Sequence, residues 1–196
     1  MDHRKLRDCF GLFATGIIIA CARKKNFFAD TFFAEKFFDK KIFTQTILAN
    51  NFLAQKFKKI FREEFFGMTI NSFTSISLNP PLVLFSIDNN SSNLSLFKKN
   101  RYFSLNILSE EQIELARAFA TPKNSTKWGV EPYFFGQKGS PIFYKSLGFF
   151  ECRKHRVIEM GDHHLIIGEI INFDKINEKS PLLYNRGKYE FLELKN

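Results

Sequence analysis

The stretch "GMTINSFTSISLNPPLVLFSID", Gly67 to Asp88, crowds hydroxyl and amide side chains in front of an apolar run that reads as a buried strand. Thr69, Asn71, Ser72 and Thr74 can donate or accept hydrogen bonds, and the backbone N–H groups around them add donors suited to a polar or anionic ligand. The same residue types suit the exposed positions of an ordinary barrel strand with turn chemistry at both ends. Residue types alone therefore leave a ligand-facing edge and a plain strand both open. Elsewhere, His155, His163 and His164 are spaced too loosely to specify a metal or haem site. The chain has no HExxH, no GxGxxG and no nucleophile motif. Zinc-protease and Rossmann dinucleotide chemistry are therefore disfavoured.

The elements that must position these groups are mostly strands. Arg4 to Ala14 has helical spacing, with Leu6, Phe10 and Phe13 on one side, and Thr15-Gly16 breaks into "IIIACA", a β-branched run that reads as a buried strand. After the serine-rich stretch, Pro80-Pro81 starts a new segment and "LVLFSID" is a buried strand closed by the loop "NNSSN". "LSLFKKNRYFSLNIL" predicts a short helix followed by a strand from Tyr102 to Leu108. "SEEQIELARAFA" predicts a helix with Ser109 as N-cap and acidic residues in its first turn. A loop with Pro122, Trp128 and Pro132 leads to two long alternating strands around a turn at Met160, Gly161 and Asp162, and "PLLYNRGKYEFLEL" closes the chain as a strand pair or a strand with a bulge. Consecutive β segments with few βα alternations predict a mainly β fold, an antiparallel barrel with a few peripheral helices.

The 196 residues favour a single domain with a core of its own, and 44% hydrophobic with 25% charged residues is an ordinary globular balance. The formal charge of +9 suits an anionic partner. Its basic residues are scattered and no nucleic-acid fingerprint accompanies them, so no nucleic-acid partner is expected. Cys9, Cys21 and Cys152 lack CxxC or metal-ligand spacing and read as reduced core thiols of a cytoplasmic protein. The first apolar run is too short and too interrupted by glycine to span a membrane.

The chain has 26 phenylalanines against one tryptophan and five tyrosines, and eight of the 26 fall in one repetitive stretch. From Phe27 to Lys56 an apolar pair recurs every five residues, "FFADT FFAEK FFDKK IFTQT ILANN FLAQK". A period of five advances about 140° beyond a full helical turn and lands on alternate strand faces, so neither regular element buries all the pairs. A pentapeptide β-helix is disfavoured because Asp30, Glu35 and Lys40 stand where small residues are needed. The preferred reading is a repetitive insertion in a hairpin connection at about residues 24–66, ending in a short helix near Leu53 and Phe57, with no chemistry assigned.

Five stretches resemble the flavin reductase-like family of short-chain NAD(P)H:flavin oxidoreductases. They are "FATGIIIA", the Gly67–Asp88 stretch, "YFSLNIL", "GFFECR" with "GDHHLIIGEI", and "PLLYNRGKY", in the family's order. The resemblance implies an FMN-binding split β-barrel that works as a homodimer, with FMN or FAD near the subunit interface and NADH or NADPH as hydride donor. It places Thr69, Asn71, Ser72, Phe73 and Thr74 along the flavin, Asp88, Asn89, Ser91 and Ser92 in a second flavin loop, and Asn106 beside them. His163 then meets the incoming dinucleotide, since His164 must point to the opposite strand face. Tyr184 packs near the cofactors and Arg186 meets phosphate, while Asn185 replaces a commoner aromatic. Hydride passing between two cofactors needs no catalytic triad. The reduced flavin is expected to serve a flavin-dependent oxygenase or another acceptor. Two rival readings are a non-catalytic flavin- or haem-binding module and an interaction protein working through the Phe-rich repeat.

Overall fold

Residues 1–24, 65–121 and 127–192 are described by a computed structural model. The five-residue repeat and the short helix expected near Leu53 lie outside the described residues. Seven antiparallel strands form the main sheet: β2 (Ile18–Arg23), β3 (Phe65–Ile70), β4 (Thr74–Leu78), β5 (Pro81–Asp88), β6 (Tyr102–Ile107), β9 (Gly148–Met160) and β10 (His163–Lys175). Their order across the sheet is β3-β2-β6-β9-β10-β5-β4. The two edge strands, β3 and β4, are consecutive in the chain and joined only by residues 71–73. Three residues span at most roughly 10 Å, so the two edges must lie side by side and the sheet must roll up. No ladder pairs β3 with β4 among the described residues, which makes the closure a split barrel.

β2 shows why "IIIACA" is apolar without alternation. Ile18, Ala20 and Ala22 point into the barrel with Phe66, Phe85, Phe97, Phe103 and Leu105. Ile17, Ile19 and Cys21 point outward, under Leu115, Phe119, Trp128, Phe143 and Leu182. A strand buried on both faces needs no polar alternate positions. The outer cover includes α3 (Ile113–Ala120) and the hairpin of β7 (Tyr133–Phe135) and β8 (Pro141–Phe143). Inside the barrel Phe97, from α2 (Leu94–Lys99), meets Phe66, Phe85 and Phe103 edge to face at centroid distances of 4.8, 5.4 and 6.2 Å. Gly67 faces β2 so closely that an added Cβ would lie 2.8 Å from Cys21 Cβ and 2.9 Å from Ala20 O.

Helix starts follow the sequence closely. α1 (His3–Phe10) is capped by Asp2, whose Oδ1 accepts from Arg4 N at 2.9 Å and Lys5 N at 3.2 Å. It stops at Phe10, short of the expected Ala14, because Gly11 closes the last turn by donating to Arg7 O. None of its residues is buried, so the side carrying Leu6, Phe10 and Phe13 is not a core face of the chain by itself. Before α3, Gln112 Oε1 accepts from Ser109 N at 3.1 Å across a short 3-10 turn, and the α-helix begins at Ile113. Cys21 and Cys152 are core thiols, and burial pushes the Cys21 thiol up to about 12. Cys9 departs from the core reading: it is exposed on α1.

Asn106 is the polar anchor of the outer layer. It is fully buried, its Nδ2 lies 3.3 Å from both Ile19 O and Pro141 O, and its Oδ1 accepts from Phe143 N at 3.0 Å. One amide thus ties β2 and β6 to β8. Asn106→Ala strands these backbone groups in a dry interior and should cost about 2–4 kcal/mol of stability. Urea denaturation checks this, with the midpoint lowered and the m-value unchanged.

Candidate functional site

Closure of the barrel puts the serine-rich stretch at the split. Residues 71–73 form the corner between β3 and β4. Ser72 Oγ accepts from Ser86 N at 3.0 Å and lies 3.2 Å from Ser86 O, so this hydroxyl replaces a missing ladder bond and pins the corner to β5. Phe73 turns its ring inward, stacked on Phe150 at 5.8 Å with planes 8° apart. Thr69 Oγ1 donates to Ala116 O of α3 at 2.6 Å. Asn71 and Thr74 remain exposed. Of the five side chains expected here, Asn71 and Thr74 are therefore open, and Ser72, Phe73 and Thr69 hold the corner in shape.

β5 carries the second group. Ser86, opposite the corner, is two residues from Asp88, roughly 7 Å along the strand. The turn after β5 is tied by its own side chains: Asp88 Oδ1 accepts from Asn90 N at 2.7 Å and Ser91 Oγ from Asn93 N at 3.3 Å, while Ser92 is exposed. Asn89 docks this loop on the β9–β10 turn, its backbone N–H donating to Asp162 O at 2.9 Å and its Nδ2 to Gly161 O at 3.3 Å. His163 pairs with Asp88 in register. Corner, loop and β9–β10 turn thus form one continuous rim.

The two histidines separate as strand alternation requires. His164 is buried, with Nδ1 2.7 Å from Asn89 Oδ1 and Nε2 3.4 Å from Lys98 Nζ. His163 keeps 40% of its side chain exposed and sits 2.7 Å from Asp162 Oδ1. This contact holds the Asp162 carboxyl below its ordinary range. Asn106 is a correction to the expected set. It lies in the core with both ends of its amide committed to backbone, so it has no group to offer a ligand.

The third group was expected from "YNRG", and the fold brings it to Asn71. β11 (Leu182–Asn185) and β12 (Lys188–Phe191) form a hairpin, and β1 (Thr15–Gly16) pairs with β11 so that Thr15 lies opposite Tyr184. Arg186 and Gly187 make the two-residue turn, at φ 48° and 79°. Positive φ at both positions is what a tight hairpin turn of this hand demands, and a side chain there costs roughly 1–2 kcal/mol relative to glycine. Arg186 N donates to Gly11 O at 2.8 Å, which fastens the end of α1 over the hairpin. Beside this junction lies a cleft of about 1020 Å³ lined by Arg7, Asp8, Phe10 and Phe13 of the α1 region together with Thr15, Asn71, Tyr184 and Arg186.

The α1 wall was missed by sequence reading, because Phe10 and Phe13 look like a core face until the fold leaves them 67% and 78% exposed. The cleft suits a flat, anionic, aromatic ligand: Phe10, Phe13 and Tyr184 line it together with Arg7 and Arg186. The rim from Asn71 to Ser92 suits the polar ring edge and phosphate of a flavin through hydroxyls, amides and backbone N–H groups.

Comparison with known proteins identifies the family of the chain. The flavin reductase like domain model matches residues 57–193, more than half of the chain. A flavin reductase of Pseudomonas putida is 37% identical over 123 residues, covering 63% of this chain and 72% of that protein. The reductase component of a flavin-dependent trigonelline monooxygenase from Acinetobacter baylyi is 35% identical over 127 residues, covering 63% of this chain and 39% of that protein. Other relatives are also longer: a probable flavin reductase of Rhizobium meliloti is matched over 96% of this chain but 48% of its own length. Among solved structures, the flavin reductase HpaC complexed with NADP+ superposes with a TM-score of 0.73 at 27% identity, over 98% of this chain and 99% of that one. A split barrel, an open polar corner and the matched family model agree: the chain belongs to the flavin reductase-like domain family.

Proposed function

We propose that this chain is a flavin reductase that passes a hydride from NADH or NADPH to FMN or FAD. The observation that carries this reading is the convergence of Asn71, Tyr184 and Arg186, far apart in sequence, on one cleft. Asn71, Thr74 and the backbone of residues 71–74 hold the ring edge of the flavin, with Ser72, Phe73 and Thr69 fixing the corner behind them. The loop of Asp88, Asn89, Ser91 and Ser92 offers hydroxyls and N–H groups to its phosphate. His163, open on the same rim, hydrogen-bonds the dinucleotide. Tyr184 packs against it and Arg186 meets a phosphate. When bound, the flavin supplies the hydride acceptor. The protein's part is to bring the two rings into contact, which is why no acid–base pair is required of it.

The reading extends to partners. Leu6, Phe10, Leu12 and Phe13 of the α1 region, and Ile76 and Leu78 on the edge strand β4, are exposed, with Leu78 at 95%. Such apolar exposure beside a ligand site supports a homodimer that covers it. The names of relatives as reductase components support a flavin-dependent oxygenase as consumer of the reduced flavin. Among the described residues no helix is long and apolar enough to cross a membrane, and a cytoplasmic location fits the buried thiols.

Mixing the purified chain with FMN or FAD and either nicotinamide should give flavin-dependent loss of nicotinamide absorbance; flavin binding without turnover would favour the binding-module reading instead. Asn71→Ala combined with Ser72→Ala should raise the flavin Kd by roughly 10-fold or more through loss of polar contacts and of the corner clamp. His163→Ala should leave flavin titrations unchanged and raise the KM for the nicotinamide roughly 5-fold, the worth of one hydrogen bond. Sedimentation equilibrium should return twice the chain mass, and Phe10→Glu with Phe13→Glu should shift it toward the single chain.

A further inference from the structure

We propose that Arg7 of α1 is a second phosphate-binding residue, which with Arg186 holds the pyrophosphate of the dinucleotide in the cleft that both of them line. The inference rests on the reading of this cleft as the nicotinamide site. Arg7 and Arg186 line the same cleft, one on the helix and one on the β11–β12 turn. Their separation is fixed by the backbone bond from Arg186 N to Gly11 O at 2.8 Å, four residues beyond Arg7 on the same helix end.

Neither guanidinium forms an ion pair among the described residues. Two unpaired cations brought into one cleft repel each other, and a doubly charged anion between them turns that repulsion into attraction. The backbone at Arg186 points the same way: the turn demands positive φ there, a place for glycine or asparagine, and the chain holds an arginine in it. Strain kept under a charged side chain that faces a cleft is strain kept for the side chain. Guanidinium pairs suit phosphate oxygens because each presents a planar fork of donors. The flavin phosphate is already provided for at the Asp88–Ser92 loop, which leaves the dinucleotide pyrophosphate as the anion for the α1 cleft. Asp8 lines the cleft too, and its carboxylate opposes any anion there. It gives the proposal a sign test.

The probe is ADP-ribose, which carries the pyrophosphate without the reactive ring, titrated calorimetrically into the full chain free of flavin. Arg7→Ala and Arg186→Ala should each weaken binding roughly 10-fold, Arg7→Lys should restore part of it, and Asp8→Asn should tighten it. FMN affinity should be the same in Arg7→Ala as in the unaltered chain. Because α1 buries none of its residues, helix content by circular dichroism should not change. Equal ADP-ribose affinity in Arg7→Ala and the unaltered chain overturns the proposal. If that equality comes with flavin-dependent nicotinamide oxidation, the reductase reading stands and only the arginine pair falls. If the unaltered chain neither binds ADP-ribose nor oxidises either nicotinamide, the reading of the cleft falls, and the proposal with it.

Discussion

The structure depends on a short tether: residues 71–73 join the two edges of one seven-stranded sheet. A longer link would allow the sheet to stay open. Three residues do not, and the sheet rolls until β3 and β4 meet without pairing. Past the end of the β4 ladder the backbone of Ser86 must find hydrogen bonds elsewhere, and the Ser72 hydroxyl supplies them. The same corner leaves the Asn71 and Thr74 side chains exposed, so the constraint that closes the barrel also sets polar groups at its split.

Around that corner the fold stacks its functional groups by strand register. β5 carries the corner at Ser86 and the phosphate-type loop at Asp88, and β10 sets His163 opposite Asp88. α1 is bonded at its C-terminal end to the β11–β12 turn and buries none of its residues, so it stands beside the cleft as a wall. Its apolar residues then serve the ligand or the second subunit rather than the core.

Stability and site are largely separate in this chain. The two cores lie on either face of β2, and the outer one is anchored by Asn106, a polar residue whose value is structural. Reading Asn106 as a ligand contact was natural from its position beside a family motif. Its neighbours in space, Ile19, Pro141 and Phe143, are 87, 35 and 37 residues away in sequence, so no local pattern could reveal that its amide was spent.

The sequence by itself determined many of the elements and the family: alternation and turn residues marked β5 and β6 to within a residue and the turn between β9 and β10, because strand periodicity and turn chemistry are local properties. It also separated His163 from His164, since successive strand side chains must point apart. Only the tertiary structure decided which polar groups stay free. Thr69 and Ser72 look as available as Asn71 in the sequence, but α3 and β5 claim their hydroxyls. Arg7 and Phe13 look like part of an ordinary amphipathic helix until the barrel leaves that helix against a cleft. The reason is physical: hydrogen-bonding capacity belongs to a residue, whereas what satisfies it depends on which distant segments the closed sheet brings within 3 Å or so of it.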